Sequence, residues 1–153
     1  MGIQEEIKQS KFRSSAQKAI INLLYTNNWL EEKIRAFLSN HELTPQQFNV
    51  MRILRGSHPE PLSTLQIRER MLDKMSDTSR IVDRLVKKGL AEKKPCTMDK
   101  RLVDVSITEA GMRKLASIDG DEQKIDNAIK NLSEEDLEKL SELLDKMRLN
   151  DEK

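Results

Sequence analysis

Apolar residues in the N-terminal third recur at the three- and four-residue intervals of an α-helix. This spacing predicts one long helix, kinked or interrupted at residues 26–28, where Thr-Asn-Asn weakens the stripe. The stripe comprises Phe12, Ala16, Ala19, Ile20, Leu23, Leu30, Ile34, Phe37 and Leu38. The same period continues through Phe48, Met51 and Leu54, which predicts a second helix that ends near Gly56.

Four helix starts carry the same capping pattern. In Leu43-Thr44-Pro45-Gln46-Gln47-Phe48, Thr44 can cap, Pro45 suits the first helical position and Gln47 can close a capping box. The other caps are Ser63, Thr108 and Ser133, with Gly111 standing where the closing side chain after Thr108 should be. They predict a third helix over about 63–72 and two further helices that begin near 108 and 133. On the last of these helices the apolar stripe is Leu137, Leu140, Leu144 and Met147.

A fourth helix is predicted from about Ser76 or Asp77 to Gly89, and beyond Gly89 the apolar period changes to two. Val103, Val105 and Ile107 alternate with less apolar neighbours, and residues 90–94 are the expected antiparallel partner. We call this hairpin, residues 90–107, the wing. The element order predicts a mainly α fold with a small β-hairpin, which is a winged helix-turn-helix between helical arms. The apolar stripes of the N- and C-terminal helices exceed what a small winged core needs to cover, so we expect these flanking helices to be dimerisation helices. The alternative is that both helices fold back on their own core.

The charge distribution is uneven, although the net charge is only +1. Residues 68–101 carry 11 Lys and Arg against 6 Asp and Glu, whereas residues 121–153 carry 6 against 11. A basic middle attracts phosphate, and an acidic end is kept away from it. Ordinary solvated helix faces would give the same asymmetry.

Several classes of protein lack support in the sequence. The chain has no apolar run long enough to cross a bilayer and no signal-peptide core, so we expect a cytoplasmic protein with no membrane partner. Cys96 is the only cysteine and there are two isolated histidines, so neither an internal disulfide nor a structural zinc site is expected. Spacing alone leaves a carboxylate metal site open. Since phosphate-loop and hydrolase motifs are absent, we predict no enzyme activity and no cofactor.

Residues 62–111 resemble the MarR family of winged helix-turn-helix bacterial transcriptional regulators. The resemblance rests on Ser-Arg-Ile-Val-Asp-Arg-Leu-Val-Lys-Lys-Gly-Leu at 79–90, on Asp-Lys-Arg-Leu-Val-Asp-Val-Ser-Ile-Thr-Glu-Ala-Gly at 99–111 and on the capping segment at 43–48. Two positions depart from the family pattern. Arg68 stands where the family usually has alanine, and Lys93-Lys94 replaces a commoner arginine, which preserves charge but not bidentate geometry.

The resemblance implies a sequence-specific regulator of transcription, typically a ligand-responsive repressor that binds a pseudo-palindromic operator as a homodimer. It divides the single domain, residues 1–153, into a DNA-binding lobe at 43–107 and a dimerisation region at 8–40 and 108–150. A small aromatic or amphipathic effector is also implied. Tyr25, Trp29, His41 and His58 are candidates to line its pocket, although each is more often a packing or surface residue. The oxidant sensing that some relatives perform near their first helix is not implied, because Cys96 lies in the wing.

On this interpretation, the start of the fourth helix faces the base edges. The expected DNA-contacting residues are Ser76, Asp77, Thr78, Ser79, Arg80, Arg84, Lys93, Lys94, Asp99, Lys100 and Arg101. Arg80 is expected to bind guanine and Arg84 a phosphate, whereas Asp77 has the competing role of a simple helix cap.

In the wing, Arg101 is expected in the minor groove and Asp99 is expected to orient it through a charged hydrogen bond. The lysines would add phosphate attraction. A solvated Arg80 and a surface ion pair at Asp99 and Arg101 are the competing interpretations. A winged-helix protein-interaction module without DNA affinity also remains, as does an enzyme.

Overall fold

A computed structural model of the protein describes residues 1–149, which contain eight α-helices and one three-stranded sheet. The elements are α1 (Ile3–Glu6), α2 (Ser15–Ser39), α3 (Pro45–Ser57), β1 (Leu62–Ser63), α4 (Thr64–Arg70), α5 (Thr78–Lys87), β2 (Ala91–Pro95), β3 (Val103–Ile107), α6 (Glu109–Asp119), α7 (Gln123–Asp126), a 3-10 turn (Asn127–Ile129) and α8 (Glu134–Arg148). The predicted mainly α, winged helix-turn-helix fold is confirmed.

All four predicted caps are present. Thr44 Oγ1 accepts a hydrogen bond from Gln47 N at 3.1 Å, and Gln47 Oε1 accepts one from Thr44 N at 3.2 Å. Ser63 and Ser133 form the same reciprocal box with Gln66 and Asp136. The cap at Thr108 has only its forward half, because Gly111 donates its N–H but has no side chain to return the bond. Local capping chemistry therefore sets the start of α3, α4, α6 and α8.

The long helix α2 runs without a break from Ser15 to Ser39, so the predicted interruption at 26–28 is wrong. Thr26, Asn27 and Asn28 all lie on the exposed surface of the helix. Thr26 Oγ1 donates to the Asn22 side chain one turn earlier, at 3.3 Å. Exposed Asn and Thr cost a helix only a fraction of a kcal/mol each, which the neighbouring turns of a long helix readily offset.

The core lies where the C-terminal end of α2 meets α3, α4, α5, α6 and the sheet. Its fully buried members include Leu38, Val50, Met51, Ile67, Val82, Leu85, Val105, Leu115 and Ile118. In α2 only Phe37 and Leu38 are buried, and α8 buries none of the residues that the structure describes. Half of the apolar stripe predicted on α2, namely Ala16, Ala19, Ile20 and Leu23, is therefore exposed in the single chain.

The sheet places β3 in the centre, with β1 and β2 antiparallel on either side. Ala91 pairs with Ile107 and Pro95 with Val103, which confirms the predicted hairpin within one residue at its edge. The third strand was not predicted, and it pairs Leu62 with Val105. Gly89 ends α5 with φ of 74°, in the left-handed conformation expected there.

Two short helical segments were also missed. The helix α1 is joined to α2 by a 2.9 Å hydrogen bond from the Tyr25 hydroxyl to Glu6 Oε2. The pair α7 and the 3-10 turn connect α6 to α8. None of the helices within residues 1–149 is both long and apolar enough to span a membrane.

Candidate nucleic-acid interface

The candidate interface begins at the N-terminus of α5. Asp77 caps this helix, because its Oδ1 accepts a hydrogen bond from Arg80 N at 3.2 Å. Ser76 and Asp77 therefore precede α5, and the expectation that they occupy its first turn is wrong. Thr78 is the first helical residue and is only 4% exposed. The hydroxyls of Ser76 and Thr78 are buried and have no hydrogen-bond partner within residues 1–149.

The outer face of α5 is polar and mainly basic. Val82 and Leu85 point into the core, whereas Ser79, Arg80 and Arg84 are exposed. Arg80 and Arg84 are one helical turn apart and so share a face. The structure thus brings the two arginines together on the surface of α5 but turns the Ser76 and Thr78 hydroxyls inward.

Arg68 was not among the predicted site residues, yet it lies beside the start of α5. Together with Thr64 and Leu65 of α4 it lines a surface depression of about 430 Å³ whose other wall is formed by residues 76–79. The Arg68 side chain is exposed, so it replaces the small residue usual in the family pattern without entering the core. That departure from the pattern was the signal that could have identified it.

At the tip of the wing, Asp99 holds the Arg101 guanidinium as expected. Arg101 Nε donates to Asp99 Oδ1 and Nη2 to Oδ2, both at 3.1 Å, and the Arg101 backbone N–H donates to Oδ1 at 3.0 Å. These bonds from the Arg101 side chain and then its backbone hold the pKa of Asp99 below its usual range. The Arg101 side chain is 90% exposed and projects its charge into solvent.

Two of the predicted phosphate-contacting lysines already have anionic neighbours. Lys93 Nζ forms an ion pair with Asp83 on α5, and Lys94 Nζ lies 3.7 Å from Glu92. Asp83 was missed by the sequence analysis, because it is ten residues from its partner. Lys100 is exposed beside Arg101. The pair of Lys93 and Asp83 ties β2 to α5 and so links the wing to that helix.

Comparison with known proteins agrees with this geometry. The model of the MarR family matches residues 43–103. The HTH-type transcriptional regulator MhqR of Bacillus subtilis (strain 168) is 31% identical over 122 residues, which cover 79% of this chain and 83% of that protein. The chain belongs to the MarR family. The resemblance seen in the capping and helix motifs is thereby confirmed.

Solved structures place this MarR-family regulator in the same fold. The MarR transcription factor from Planctomyces limnophilus is 31% identical, with a TM-score of 0.68 over 88% of this chain and 98% of that chain. A mutant of E. coli MarR, crystallised in complex with operator DNA, has a TM-score of 0.74 at 23% identity and covers 96% of this chain and 99% of its own. The match extends beyond the winged lobe to the helical arms.

The four candidate effector-pocket residues of this MarR-family protein lie at three separate places. Tyr25 and Trp29 are exposed on α2. The His41 ring is tilted by 59° against the Phe37 ring, with the ring centroids 5.4 Å apart, and its Nε2 lies 3.5 Å from Asp121 Oδ2. His58 lines a depression of about 500 Å³ with Ile107, Thr108, Glu109, Met112 and Arg113. Their role in binding an effector stays a prediction.

Cys96 lies partly buried at the base of the wing loop, where its N–H donates to Leu102 O at 3.1 Å. No group of three or more metal-ligating side chains occurs in the described part of the chain.

Proposed function

We propose that this MarR-family transcriptional regulator binds a pseudo-palindromic operator in double-stranded DNA as a homodimer. One observation carries the proposal: α5 presents Arg80 and Arg84 on its outer face, while the adjacent wing presents Arg101 in an orientation held by Asp99. A helix of this kind fits a major groove, and an arginine on a neighbouring hairpin fits the narrower minor groove.

Within α5, the exposed side chains of Ser79, Arg80 and Arg84 have distinct proposed roles. Arg80 lies in the first turn, where its guanidinium can donate two hydrogen bonds to guanine O6 and N7. Ser79 can bond to a base edge or a phosphate beside it, and Arg84, one turn later, suits a phosphate. We assign Asp77 the helix cap, which its hydrogen bond to Arg80 N supports. Ser76 and Thr78 are proposed to act through the turn they form, since their hydroxyls are buried.

In the wing, we propose that Arg101 enters the minor groove while Asp99 limits the directions its guanidinium can take. A narrow minor groove concentrates negative potential, which an arginine detects without reading individual bases. Lys100 adds phosphate attraction at the tip. Lys93 and Lys94 contribute less than an unpaired lysine would, because each lies against a carboxylate of the chain itself.

The homodimer is proposed from apolar residues that the single chain leaves exposed. On α2 these are Ile20, Leu23, Leu24, Tyr25 and Trp29, and on α8 they are Leu140, Leu143 and Met147. Leu24 is 60% exposed. Large apolar side chains left exposed on helices are typical of a surface that a partner covers. A twofold dimer would present two copies of α5 to two half-sites.

We extend the proposal to repression that a small aromatic or amphipathic effector relieves. The support is that the chain belongs to the MarR family, because its resemblance to that family implies a repressor that responds to a ligand. Binding between the dimerisation helices and the DNA-binding lobe would change the distance between the two α5 helices. Such a ligand acts only through its different affinity for the two arrangements.

A salt titration of DNA binding tests the proposed function against a winged-helix module that binds proteins instead. If six or more phosphates are contacted per dimer, affinity for duplex DNA should fall about a thousandfold between 50 and 200 mM salt. A protein-interaction module predicts no DNA complex at the lower salt. The absence of a complex with a pool of duplexes at 50 mM salt would therefore exclude the proposal.

A further inference from the structure

Lys88, at the C-terminal cap of α5, connects this helix to the turn between α2 and α3. Its Nζ donates to the backbone oxygen of Glu42 at 2.6 Å and to Gln47 Oε1 at 3.2 Å. Glu42 and Gln47 are 46 and 41 residues away in the chain. The bonds thus join two segments that are close only in the folded protein.

The Gln47 oxygen that accepts from Lys88 is also held by hydrogen bonds that do not involve Lys88. Gln47 is 5% exposed, and its Oε1 also accepts the Thr44 N–H at 3.2 Å, while its own N–H donates to Thr44 Oγ1 at 3.1 Å. The capping box of α3 therefore holds Oε1 in place. An amide oxygen has two lone pairs, so it can accept both hydrogen bonds.

The Glu42 acceptor is fixed by the end of α2. Glu42 has φ of 58°, a left-handed conformation that costs a residue with a side chain about 1 kcal/mol. The N–H groups of His41 and Leu43 both donate to Leu38 O, at 2.9 and 3.1 Å, which closes the turn around that conformation. Because Leu38 is fully buried in the core, the Glu42 carbonyl is tied to the C-terminal end of α2.

Lys88 differs in this respect from the neighbouring cation on α5. Lys87 is also exposed, but it makes no side-chain hydrogen bond or ion pair to another residue in 1–149. Removing either side chain costs the protein one positive charge near the C-terminus of α5. Removing Lys88 additionally breaks the link to the α2–α3 turn.

We propose that Lys88 is a positioning residue that sets the orientation of α5 relative to α2 through Glu42 and Gln47. The inference rests on the proposed function, in which α2 belongs to the dimerisation region and α5 reads the DNA. Since the two α5 helices of a dimer must match two half-sites at once, their orientation relative to α2 fixes the spacing that the protein accepts. Lys88 thereby determines tolerance to half-site spacing without contacting DNA.

The test compares Lys88→Met with Lys87→Met on duplexes selected from random DNA by the wild type, and on versions with one base pair inserted or deleted between the half-sites. Lys88→Met should weaken binding to the selected duplex about fivefold, as expected for loss of a partly exposed, charge-assisted contact. It should also lower the penalty for the altered spacing. The slope of log affinity against log salt should stay at the wild-type value.

Two results would overturn the inference. A salt slope reduced by about 0.9 for each Lys88 removed would make Lys88 a phosphate contact instead. Equal loss of spacing preference in Lys87→Met would make the effect one of charge alone. Gln47→Met removes one of the two acceptors and leaves the Glu42 carbonyl, so it should reproduce part of the loosened spacing even if Lys88→Met fails to fold. If the wild type itself selects no duplex with two half-sites, the proposed function fails, and not this inference alone.

Discussion

At the scale of single residues, the wing depends on one exposed pair, Asp99 and Arg101. An ion pair with a 90% exposed arginine contributes little to folding stability, because water screens it. Its two parallel side-chain hydrogen bonds, however, fix the direction of the guanidinium. Substitutions here should therefore change DNA binding far more than they change stability.

Arg101→Ala should weaken operator binding by more than about tenfold, since it removes a charge placed for a narrow minor groove. The melting temperature should change little. Mobility-shift titration and thermal unfolding measure the two effects. Arg113→Ala is the matched control, because Arg113 is also exposed and lies near a carboxylate, Glu109, but on α6. Unchanged affinity in Arg101→Ala would remove the wing from the proposed interface.

Tyr25 offers a second residue-scale test, because it is the only tyrosine. Its hydrogen bond to Glu6, some burial and the nearby charges of Glu6 and Glu32 raise the pKa of the phenol above its ordinary value of 10.0. Because the pKa is raised in the folded state, the bond's contribution to stability is complete below about pH 10 and is lost as pH rises through the folded pKa. Absorbance titration should show the Tyr25 pKa falling in Glu6→Gln and holding in Glu5→Gln; equal pKa values in both variants would contradict the contact.

At the scale of elements, the helix starts were predictable because each depends on side chains within three residues. Thr44, Ser63, Thr108 and Ser133 all cap the helices expected of them. The strand β1 was not predictable, since two residues carry no period and pair only because β3 lies alongside. The predicted break in α2 failed because exposed polar residues weaken a helix too little to end it.

In the candidate site too, contacts between neighbouring residues could be predicted from the sequence, whereas contacts between distant residues could not. The contact between Asp99 and Arg101 spans two residues and could be predicted from their spacing. The contacts of Lys93 with Asp83 and of Lys88 with Gln47 span 10 and 41 residues, so they depend on how the elements pack. Burial of the Thr78 hydroxyl likewise follows from the packing of α5, which sequence spacing does not specify.

Packing of α6 against the start of the wing gives the element-scale prediction. A Cβ at Gly111 would overlap Leu90 O and lie 2.6 Å from Ile107 Cγ1, so backbone would have to move. Gly111→Ala should lower the free energy of unfolding by about 2–3 kcal/mol, as overpacking typically does. Gly56→Ala in α3 meets open space and should raise it by about 0.5–1 kcal/mol. Denaturant unfolding measures both, and equal effects would contradict the packing.

At the scale of the whole molecule, the buried core stabilises the winged lobe, whereas the helical arms α2 and α8 expose apolar side chains. Leu140 on α8 is exposed in the single chain, and so is the next residue, Ser141, which lies off the apolar stripe. Leu140→Asp should shift sedimentation at micromolar concentration toward the mass of one chain, because a buried unpaired carboxylate opposes association. Ser141→Asp adds the same charge and should leave the wild-type mass of two chains. A wild type that sediments as one chain would contradict the dimer.

Selecting bound duplexes from random sequence tests whether a symmetric pair of α5 helices and wings reads DNA. We expect enrichment of one short sequence in two inverted copies, centred about 10 base pairs, or a multiple of that, apart. Selection from the Arg101→Ala variant should recover the same half-sites more weakly. Recovery of no common sequence, or of a single unrepeated site, would show that the protein does not read DNA as a symmetric pair.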